Sequence, residues 1–318
     1  IAVVMDSKSG DIYAMSSSKR YNAQNLGSGD VFKMSISAFQ YVYEPGSVIK
    51  SFIMAALLEE KLIGEYTLID GHGGKYKLGR ATITDTHEQN RFTAEEAIYH
   101  SSNIAMAQIA QSLTPYKYKQ TMQDFGFEEK TGADISYEHI GKVPSITEFK
   151  DPVIKGTVAY GYGLSVNFMQ VVKAYNAFNN DGKIIEPKIA RKVSLDKERV
   201  FNITKNEKQA ISQVTAMKML KMLRKVVTQG TGVSANIDGV FLAGKTGTAM
   251  VAKGAGYANI YNSSFVGFAT DINGDRKYTI GVLAIKPKKS YFASMAAAPV
   301  FKEVVEAMIN RGWIKREP

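Results

Sequence analysis

The two ends of the chain carry its clearest β patterns, and a helical middle separates them. The opening stretch, IAVVMDSKSGDIYAMS, places two apolar runs around a Ser-Lys-Ser-Gly turn, which predicts a β-hairpin. Near the other end, NSSFVGFA and KYTIGVLAI flank TDINGDRK, whose Asn-Gly pair is a strong hairpin signal. This arrangement predicts an α+β fold, in which helices flank an antiparallel β-sheet beside an all-helical lobe.

The middle of the chain supplies the helices. One is predicted from about Ser47 to Lys61, with Gly64 as its stop signal. Residues 65–93 are rich in Gly and Thr and predict loops with short strands. We expect a single domain over 1–318 with a mostly helical lobe at about 52–150. Further helices are predicted at NIAMAQIAQSL, YKYKQTMQDFGF, FMQVVKAYNAFNNDGK, SQVTAMKMLKMLRKVVTQGTG and PVFKEVVEAMINRGW.

Composition excludes several classes of protein. The 318 residues include no cysteine, which excludes disulfides, thiolate metal sites and a cysteine nucleophile. The net charge of +10 fits either a solvated basic surface or attraction to an anionic polymer or membrane surface. The lysines are scattered without interleaved aromatic residues, so we expect no nucleic-acid partner. The four histidines lack metal-binding spacing, and we expect neither a metal nor another cofactor.

The chain contains no apolar run of the ~18 residues that a membrane span requires. It opens inside a strand pattern and has no initiator Met. We therefore expect an excised domain, with anchoring or targeting segments outside this chain.

The Ser-x-x-Lys pattern occurs three times, and only its setting separates the copies. The copies at 16–19 and 194–197 lie in polar or charged runs, whereas Ser47 opens an apolar helix that carries Lys50. On a helix, residues three apart lie on one face. Ser47 could be a helix cap, or a nucleophile whose attack is favoured by the N–H groups and dipole at the helix start.

A lysine base must be neutral near pH 7, although its reference pKa is about 10.4. Burial and a nearby second cation both lower the pKa of a lysine. Val48, Ile49 and Phe52 offer an apolar setting for Lys50. We therefore expect the fold to bring a second cation into the site.

Lys-Ser/Thr-Gly also occurs three times, at 8–10, 130–132 and 245–247. Only the last copy is embedded in an apolar strand, VFLAGKTGTAMV, and a buried strand rarely accepts a lysine without a use for it. Gly247 would let the backbone of a ligand approach closely. We interpret this strand as one that pairs with a peptide-like substrate, whose carboxylate Lys245, Thr246 and Thr248 would hold. The alternative is an edge-strand lysine whose amine reaches water.

Ser-x-Asn is present at 101–103, 165–167 and 234–236. The first copy immediately precedes an apolar helix of the predicted helical lobe. There Ser101 can face the Ser47 helix as a proton relay, and Asn103 can hydrogen-bond a substrate amide. The alternative is that these residues cap the helix. His100, beside Ser101, is the one candidate for a Ser-His-Asp triad, but a Ser-Lys pair already supplies the base.

In the order Ser-x-x-Lys, Ser-x-Asn, Lys-Thr-Gly, these motifs make the chain resemble the superfamily of penicillin-binding proteins and serine β-lactamases. The specific signal is EPGSVIK, HSSNIAM and AGKTGTA, and the resemblance covers essentially the whole chain. It looks most like the transpeptidase domain of a class B penicillin-binding protein. The Glu-x-x-Leu-Asn segment of class A β-lactamases is missing, and Asn103 departs from the Ser-x-Val of class D enzymes. Glu44 in YEPGS leans towards the septal, cell-division type.

The resemblance implies a β-lactamase/transpeptidase-like fold and a catalytic set of Ser47, Lys50, Ser101 and Lys245. Ser47 would be the nucleophile, Lys50 its base, and Ser101 the relay that bridges Lys50 and Lys245. The resemblance also implies that the backbone N–H groups of Ser47 and Thr248 form the oxyanion hole. Asn103, Thr246, Gly247 and Thr248 would bind the substrate.

The implied activity is a serine D,D-transpeptidase, which crosslinks peptidoglycan stem peptides through a Ser47 acyl-enzyme and is acylated by β-lactams. Its partners would be a D-Ala-D-Ala donor, an amine acceptor, β-lactam antibiotics, and proteins of cell-wall synthesis and division. The expected location is the periplasmic or extracytoplasmic face of the bacterial cytoplasmic membrane. The alternatives are a D,D-carboxypeptidase, or a β-lactam sensor or binding domain without turnover.

Overall fold

The structure is a computed structural model that describes residues 1–18, 21–190, 192–194, 200–202, 204–254 and 256–316. Lys19 and Lys197, which complete two of the three Ser-x-x-Lys patterns, lie outside the described residues. The strands are β1 (Ala2–Asp6), β2 (Ile12–Ser16), β3 (Val42–Tyr43), β4 (Leu68–Asp70), β5 (Lys75–Leu78), β6 (Ala81–Thr84), β7 (Arg91–Thr93), β8 (Val166–Asn167), β9 (Lys183–Ile185), β10 (Lys192–Ser194), β11 (Val200–Asn202), β12 (Glu207–Gln209), β13 (Phe241–Lys253), β14 (Gly256–Thr270) and β15 (Lys277–Ile285).

The predicted helices are present, and short additional helices lie between them. Short 3-10 helices occur at 28–33, 46–49, 72–74, 110–112, 148–150 and 233–235. The α-helices are α1 (Ser37–Gln40), α2 (Lys50–Glu59), α3 (Ala94–Tyr99), α4 (Asn103–Ile109), α5 (Pro115–Asp124), α6 (Pro152–Ala159), α7 (Phe168–Asn179), α8 (Gln213–Thr228), α9 (Ala293–Ala296) and α10 (Ala298–Asn310).

One five-stranded antiparallel sheet joins the two ends of the chain, in the order β13-β14-β15-β1-β2. Strand β1 pairs with β15, with Ala2 opposite Val282. The hairpins predicted at both ends are confirmed, since β1 pairs antiparallel with β2 and β14 pairs antiparallel with β15. The predicted α+β class is therefore confirmed. Strand β13 lies at one edge of this sheet, so one side of its backbone faces away from the sheet.

Side chains of β1 alternate between two apolar cores, one on each face of the sheet. Val3 and Met5 belong to a large cluster that also contains residues of α2, α7 and α8. Val4 instead belongs to a cluster with Phe301 and Val305 of α10. The sheet is therefore a middle layer, with α10 on one face and the larger group of helices on the other.

Helix α2 is the central helix of the larger core. Its sequence KSFIMAALLE is apolar on nearly all sides, and every residue from Lys50 to Leu58 is buried. A helix that is apolar all round belongs in the interior of a protein. The helix begins later than predicted, because Ser47 lies in the 3-10 turn Gly46–Ile49 and the α-helix starts at Lys50. Gly46 turns the chain into this segment with a φ of +63°, a conformation that suits glycine.

The region between α2 and α6 carries α3, α4 and α5 together with two small antiparallel strand pairs. Strand β4 pairs with β7, and β5 pairs with β6, which confirms the short strands predicted within 65–93. Helix α4 packs against α6, and both α2 and α8 contact α3. This packing brings the start of α4 to the start of α2. In the described part of the chain, no helix has the length and apolar character to cross a membrane.

Candidate active site

Ser47 lies where the 3-10 turn Gly46–Ile49 leads into α2, and it is half-buried. Its side chain caps neither helix, since the cap positions belong to Pro45 and Ile49 and neither makes a side-chain cap hydrogen bond. Within the described residues, no hydrogen bond is formed by the Ser47 hydroxyl. The cap interpretation of Ser47 therefore has no support in the geometry, and the hydroxyl is free to react.

Lys50 is fully buried at the first turn of α2. Its Nζ atom donates to the carbonyl oxygen of Ser101 at 2.5 Å and to Ser101 Oγ at 3.1 Å. Burial lowers the pKa of Lys50 to about 7, and the smaller electrostatic effect of Asp85 opposes that shift. An amine with this pKa is partly neutral at neutral pH, as a lysine base requires.

Lys245 is also fully buried, on the edge strand β13. Its Nζ donates to Ser101 Oγ at 2.9 Å and to the carbonyl oxygen of Thr246 at 3.2 Å. Its amine does not reach water, so the alternative interpretation as an edge-strand lysine in solvent is wrong. Burial, and then the charge of Lys50, lowers the pKa of Lys245 well below its ordinary value.

Ser101 joins these two lysines. It has a left-handed backbone with a φ of +63°, which is uncommon for a residue other than glycine. Helix α4 is capped by the next residue, since the Ser102 hydroxyl accepts from the N–H of Ala105 at 2.9 Å. The cap interpretation of this motif thus applies to Ser102, and the Ser101 hydroxyl is left for Lys50 and Lys245. The second cation that we expected beside Lys50 is present as Lys245, but the pKa of Lys50 is lowered by burial and not by that neighbour. The charge effect acts in the other direction, since Lys50 lowers the pKa of Lys245.

The free edge of β13 faces the turn that carries Ser47. The N–H of Met250 donates to Tyr162 Oη at 3.0 Å, outside the sheet. Along an antiparallel edge strand, backbone groups point outward at every second residue. The N–H of Thr248, two residues earlier, therefore faces the same side, as an oxyanion-hole donor must. The Thr248 hydroxyl accepts from the N–H of Ala293 at 3.1 Å.

Gly247 allows β13 to lie directly against the Ser47 turn. A Cβ added to Gly247 would lie 2.6 Å from Ser264 Oγ and 3.0 Å from both the Pro45 carbonyl oxygen and Val48 Cγ1. Real Cβ atoms are almost never found that close to other atoms, so any larger residue would push the strand away from Ser47. The glycine predicted to admit a ligand thus serves first to bring the two parts of the site together.

Asn103 is held at the start of α4 by Asp85, a residue that the sequence analysis missed. Asp85 Oδ1 accepts from the N–H groups of Asn103 at 2.5 Å and Ile104 at 3.2 Å, and Oδ2 accepts from Ser102 Oγ at 2.5 Å. Asn103 Nδ2 donates to the carbonyl oxygen of Thr84 at 3.1 Å. The carboxylate fixes the Ser-Ser-Asn turn, and a single Asp in the loop TITDTHEQN gives no signal of this role.

Thr231 is a second residue that the sequence analysis missed. Thr231 Oγ1 lies 2.7 Å from Thr246 Oγ1, and the N–H of Thr231 donates to the carbonyl oxygen of Tyr99 at 3.1 Å. The residue follows α8 in the stretch QGTG, which the sequence analysis included only as the end of a predicted helix. No local pattern could have connected it with Lys-Thr-Gly.

The other copies of the motifs have structural positions. Asn167 caps α7 by accepting from the N–H of Gln170 at 2.8 Å, and Ser234 donates to the carbonyl oxygen of Ser294 at 2.6 Å. Thr131 is buried against Glu138, and Lys8 lies in the exposed β1–β2 turn. Among the copies that the structure describes in full, only those selected from sequence converge. Their members are Ser47, Lys50, Ser101, Asn103, Lys245, Thr246, Gly247 and Thr248.

The histidines do not join the converging groups. His100 stacks on His87 with ring centroids 4.2 Å apart, and burial lowers its pKa. Across the part of the chain that the structure describes, no group of three or more acidic or histidine side chains could hold a metal ion. The reactive groups that converge among the described residues are the Ser47 hydroxyl, the buried amines of Lys50 and Lys245, and the Ser101 hydroxyl that bridges them.

Comparison with known proteins identifies a protein family over nearly the whole chain. The family model described as the penicillin binding protein transpeptidase domain matches residues 1–306. The probable peptidoglycan D,D-transpeptidase PbpC of Pseudomonas aeruginosa is 31% identical over 97% of this chain and 53% of its own length. Stage V sporulation protein D of Bacillus subtilis is 31% identical over 99% of this chain and 50% of its own length. The chain thus spans about half the length of the curated relatives it matches.

A solved structure is also similar. Penicillin binding protein 3 of Mycobacterium tuberculosis, in complex with aztreonam, superposes with a TM-score of 0.89 at 27% identity. The match covers 100% of this chain and 73% of that chain.

Proposed function

We propose that this chain, which belongs to the penicillin-binding protein transpeptidase domain family and to its class B, is a serine D,D-transpeptidase that crosslinks peptidoglycan stem peptides. One observation carries the proposal. Ser101 Oγ lies 3.1 Å from Lys50 Nζ and 2.9 Å from Lys245 Nζ. These contacts give a path for a proton between the base beside Ser47 and the strand that would hold the substrate.

The first step is attack by Ser47 Oγ on the carbonyl between two D-alanines, while neutral Lys50 takes the hydroxyl proton. The N–H groups of Ser47 and Thr248 stabilise the negative charge that develops on the carbonyl oxygen. The bond between the D-alanines then breaks, and the leaving nitrogen gains a proton through Ser101. An acceptor amine finally attacks the ester, gives up a proton to the same path, and releases Ser47.

The terminal carboxylate of the donor peptide would bring a negative charge to the two buried lysines. Two ammonium groups on one hydroxyl repel each other, and burial of the two lysines disfavours both charges. An opposite charge within about 4–6 Å favours the charged form of a lysine. The terminal carboxylate, held by Lys245, Thr246 and Thr248, would therefore stabilise the ammonium form of Lys245 and leave Lys50 as the neutral base. Asn103 would align the donor stem.

The test is intact-mass spectrometry of the chain with benzylpenicillin, beside Ser47→Ala and the matched control Ser16→Ala. We expect one stable adduct on the wild type and on Ser16→Ala, and none on Ser47→Ala. An adduct that survives Ser47→Ala would contradict the assignment of the nucleophile. Hydrolysed antibiotic without an adduct would indicate a β-lactamase instead.

A second assay separates the transpeptidase from its alternatives. A donor stem peptide ending in D-Ala-D-Ala is incubated with and without an acceptor amine. A crosslinked product supports the transpeptidase, whereas release of D-alanine to water alone supports a D,D-carboxypeptidase. Acylation by the antibiotic without either product would support a β-lactam sensor.

We also propose a septal, cell-division role, with division proteins as partners, at the extracytoplasmic face of the cytoplasmic membrane. The support is Glu44 in YEPGS, a residue that favours the septal type of class B penicillin-binding protein. An anchor outside this chain would hold the domain there. Depletion of the full-length protein should give filamentous cells, whereas rounded cells would indicate an elongation role. Protease digestion of intact spheroplasts should degrade this domain if it lies outside the cytoplasm.

A further inference from the structure

Thr246 has a hydroxyl partner that comes from a distant part of the chain. Thr246 is almost buried, 7% exposed, and its Oγ1 lies 2.7 Å from Thr231 Oγ1. This is a normal distance for a hydrogen bond between two hydroxyl groups, so one of them donates to the other. The hydroxyl proton of each threonine can rotate, so the direction of donation is set by what else the pair contacts.

The position of Thr231 is fixed independently of Thr246. Its N–H donates to the carbonyl oxygen of Tyr99 at 3.1 Å, and the next N–H, of Gly232, donates to Val226 at 2.9 Å. Tyr99 is the last residue of α3, two residues before Ser101. The loop after α8 therefore contacts both the segment that carries Ser101 and the strand that carries Lys245.

We infer that Thr231 is a positioning residue that makes the site selective for a carboxylate. This inference rests on the proposed function, in which Thr246 binds the terminal carboxylate of the substrate. A carboxylate only accepts hydrogen bonds, so Thr246 must donate its proton to it. Thr231 then donates to Thr246 Oγ1, and the two hydroxyl groups form a chain of donors that ends at the anion.

The selectivity for a carboxylate follows from a comparison with the opposite direction of donation between the two hydroxyl groups. If Thr246 donated to Thr231, its lone pairs would face the ligand and would repel an anion. Without the Thr231 hydroxyl, Thr246 loses the donor that orients it and strengthens its bond to a charged acceptor. An uncharged ester in place of the carboxylate gains much less from this chain, because hydrogen bonds to charged groups are the stronger ones.

The experiment compares benzylpenicillin with its methyl ester, which share the reactive ring and side chain and differ in the charge at the carboxyl group. The second-order rate constant for acylation of Ser47 is followed by intact-mass spectrometry. The variants are Thr231→Val, which removes the hydroxyl at constant shape, and Thr231→Ser, which keeps it. Thr228→Val is the matched control, because the exposed Thr228 hydroxyl donates to the carbonyl oxygen of Arg224 on its own helix, α8.

We expect the wild type, Thr231→Ser and Thr228→Val to prefer the free acid. Thr231→Val should react about tenfold more slowly with the acid and nearly unchanged with the ester, since one hydrogen bond to a charged group is affected. Equal loss with both ligands, or no loss with either, would overturn the inference. So would a wild type that reacts equally with acid and ester.

Two further outcomes keep the experiment decisive. If Thr231→Val does not fold by circular dichroism, Thr231→Ala removes the hydroxyl with a smaller side chain and is judged by the same ratio. If the wild type is acylated by neither ligand, the proposed function itself fails. A wild type that prefers the free acid, with the same preference in Thr231→Val, contradicts only the role of Thr231.

Discussion

Lys50 donates two hydrogen bonds to Ser101, one to its carbonyl oxygen at 2.5 Å and one to its hydroxyl at 3.1 Å. Lys50 is the first residue of α2 and Ser101 lies in the turn between α3 and α4, so this pair holds the start of α2 against that turn. The carbonyl bond keeps the lysine in place whichever way the hydroxyl proton points. The Ser101 hydroxyl can therefore change its donor and acceptor roles during a reaction without releasing Lys50.

Ser101→Ala should lower the acylation rate of Ser47 by about a hundredfold or more, because it removes the group that passes the proton to the leaving nitrogen. The rate with benzylpenicillin, measured by intact-mass spectrometry, checks this expectation. Ser165→Ala, in another Ser-x-Asn copy, is the control and should keep its rate. An unchanged rate in Ser101→Ala would exclude Ser101 from the proton path.

The acylation rate should rise with pH around 7 and then level off, because Lys50 acts as a base only when neutral and its pKa is about 7. Rate constants between about pH 5.5 and 9 test this, with circular dichroism to exclude unfolding. A rate that is flat across this range would mean that another group takes the proton.

Asp85→Asn should move that rise to lower pH, because the Asp85 charge raises the pKa of Lys50 and its loss lets that pKa fall further. The neutral side chain keeps an oxygen that can accept from the N–H of Asn103. Asp70→Asn, at the exposed end of β4, is the matched control and should leave the profile in place. A shift to higher pH would contradict the electrostatic role of Asp85.

Lys245→Met should abolish acylation and yet raise the unfolding temperature by a few degrees near pH 7. The fold lowers the pKa of Lys245, so the unfolded chain binds more protons below the ordinary lysine pKa and wild-type stability rises with pH through that window. The stabilisation by Met should therefore shrink as the pH approaches about 10.4. Thermal unfolding at several pH values tests this, with Lys8→Met in the exposed turn as control.

Gly247→Ala should lower both stability and acylation, because its Cβ would meet Ser264 Oγ at 2.6 Å and the Pro45 carbonyl oxygen at 3.0 Å. We expect a loss of about 1–3 kcal/mol in the free energy of unfolding from this overpacking. Gly256→Ala is the control, since an added Cβ there has no atom within 4 Å among the described residues. Equal behaviour of the two variants in urea unfolding would show that the close contact carries no energy.

The sequence was sufficient to select the converging motif copies because each had a distinct setting. A lysine inside the apolar strand VFLAGKTGTAMV and one in the buried helix KSFIMAALLE both contradict ordinary burial preferences, and such conflicts mark functional sites. The hairpins at both ends were equally clear, because an Asn-Gly or Ser-Lys-Ser-Gly turn between apolar runs has few alternatives. Roles such as the oxyanion hole at Thr248 stay predictions.

What the sequence could not predict depends on contacts between distant segments. Asp85 is 17 residues from Ser102 and Thr231 is 15 residues from Thr246, and neither pair has a spacing that a pattern could detect. The distinction between Ser101 and Ser102 was also hidden. It depends on the left-handed backbone of Ser101, which follows from how α3 ends and α4 begins.

The pairing of β1 with β15 limits the order in which the parts of the molecule can fold. Nearly the whole chain separates the two strands, so the sheet cannot close on the ribosome until the last strand has emerged. The helices that surround α2 are complete much earlier and can collapse first. Lys245 lies on a strand of this late sheet, so the two amines meet only at the end of folding. A nascent chain therefore carries Ser47 and Lys50 without a working centre until the segment with Lys245 has been made and has folded.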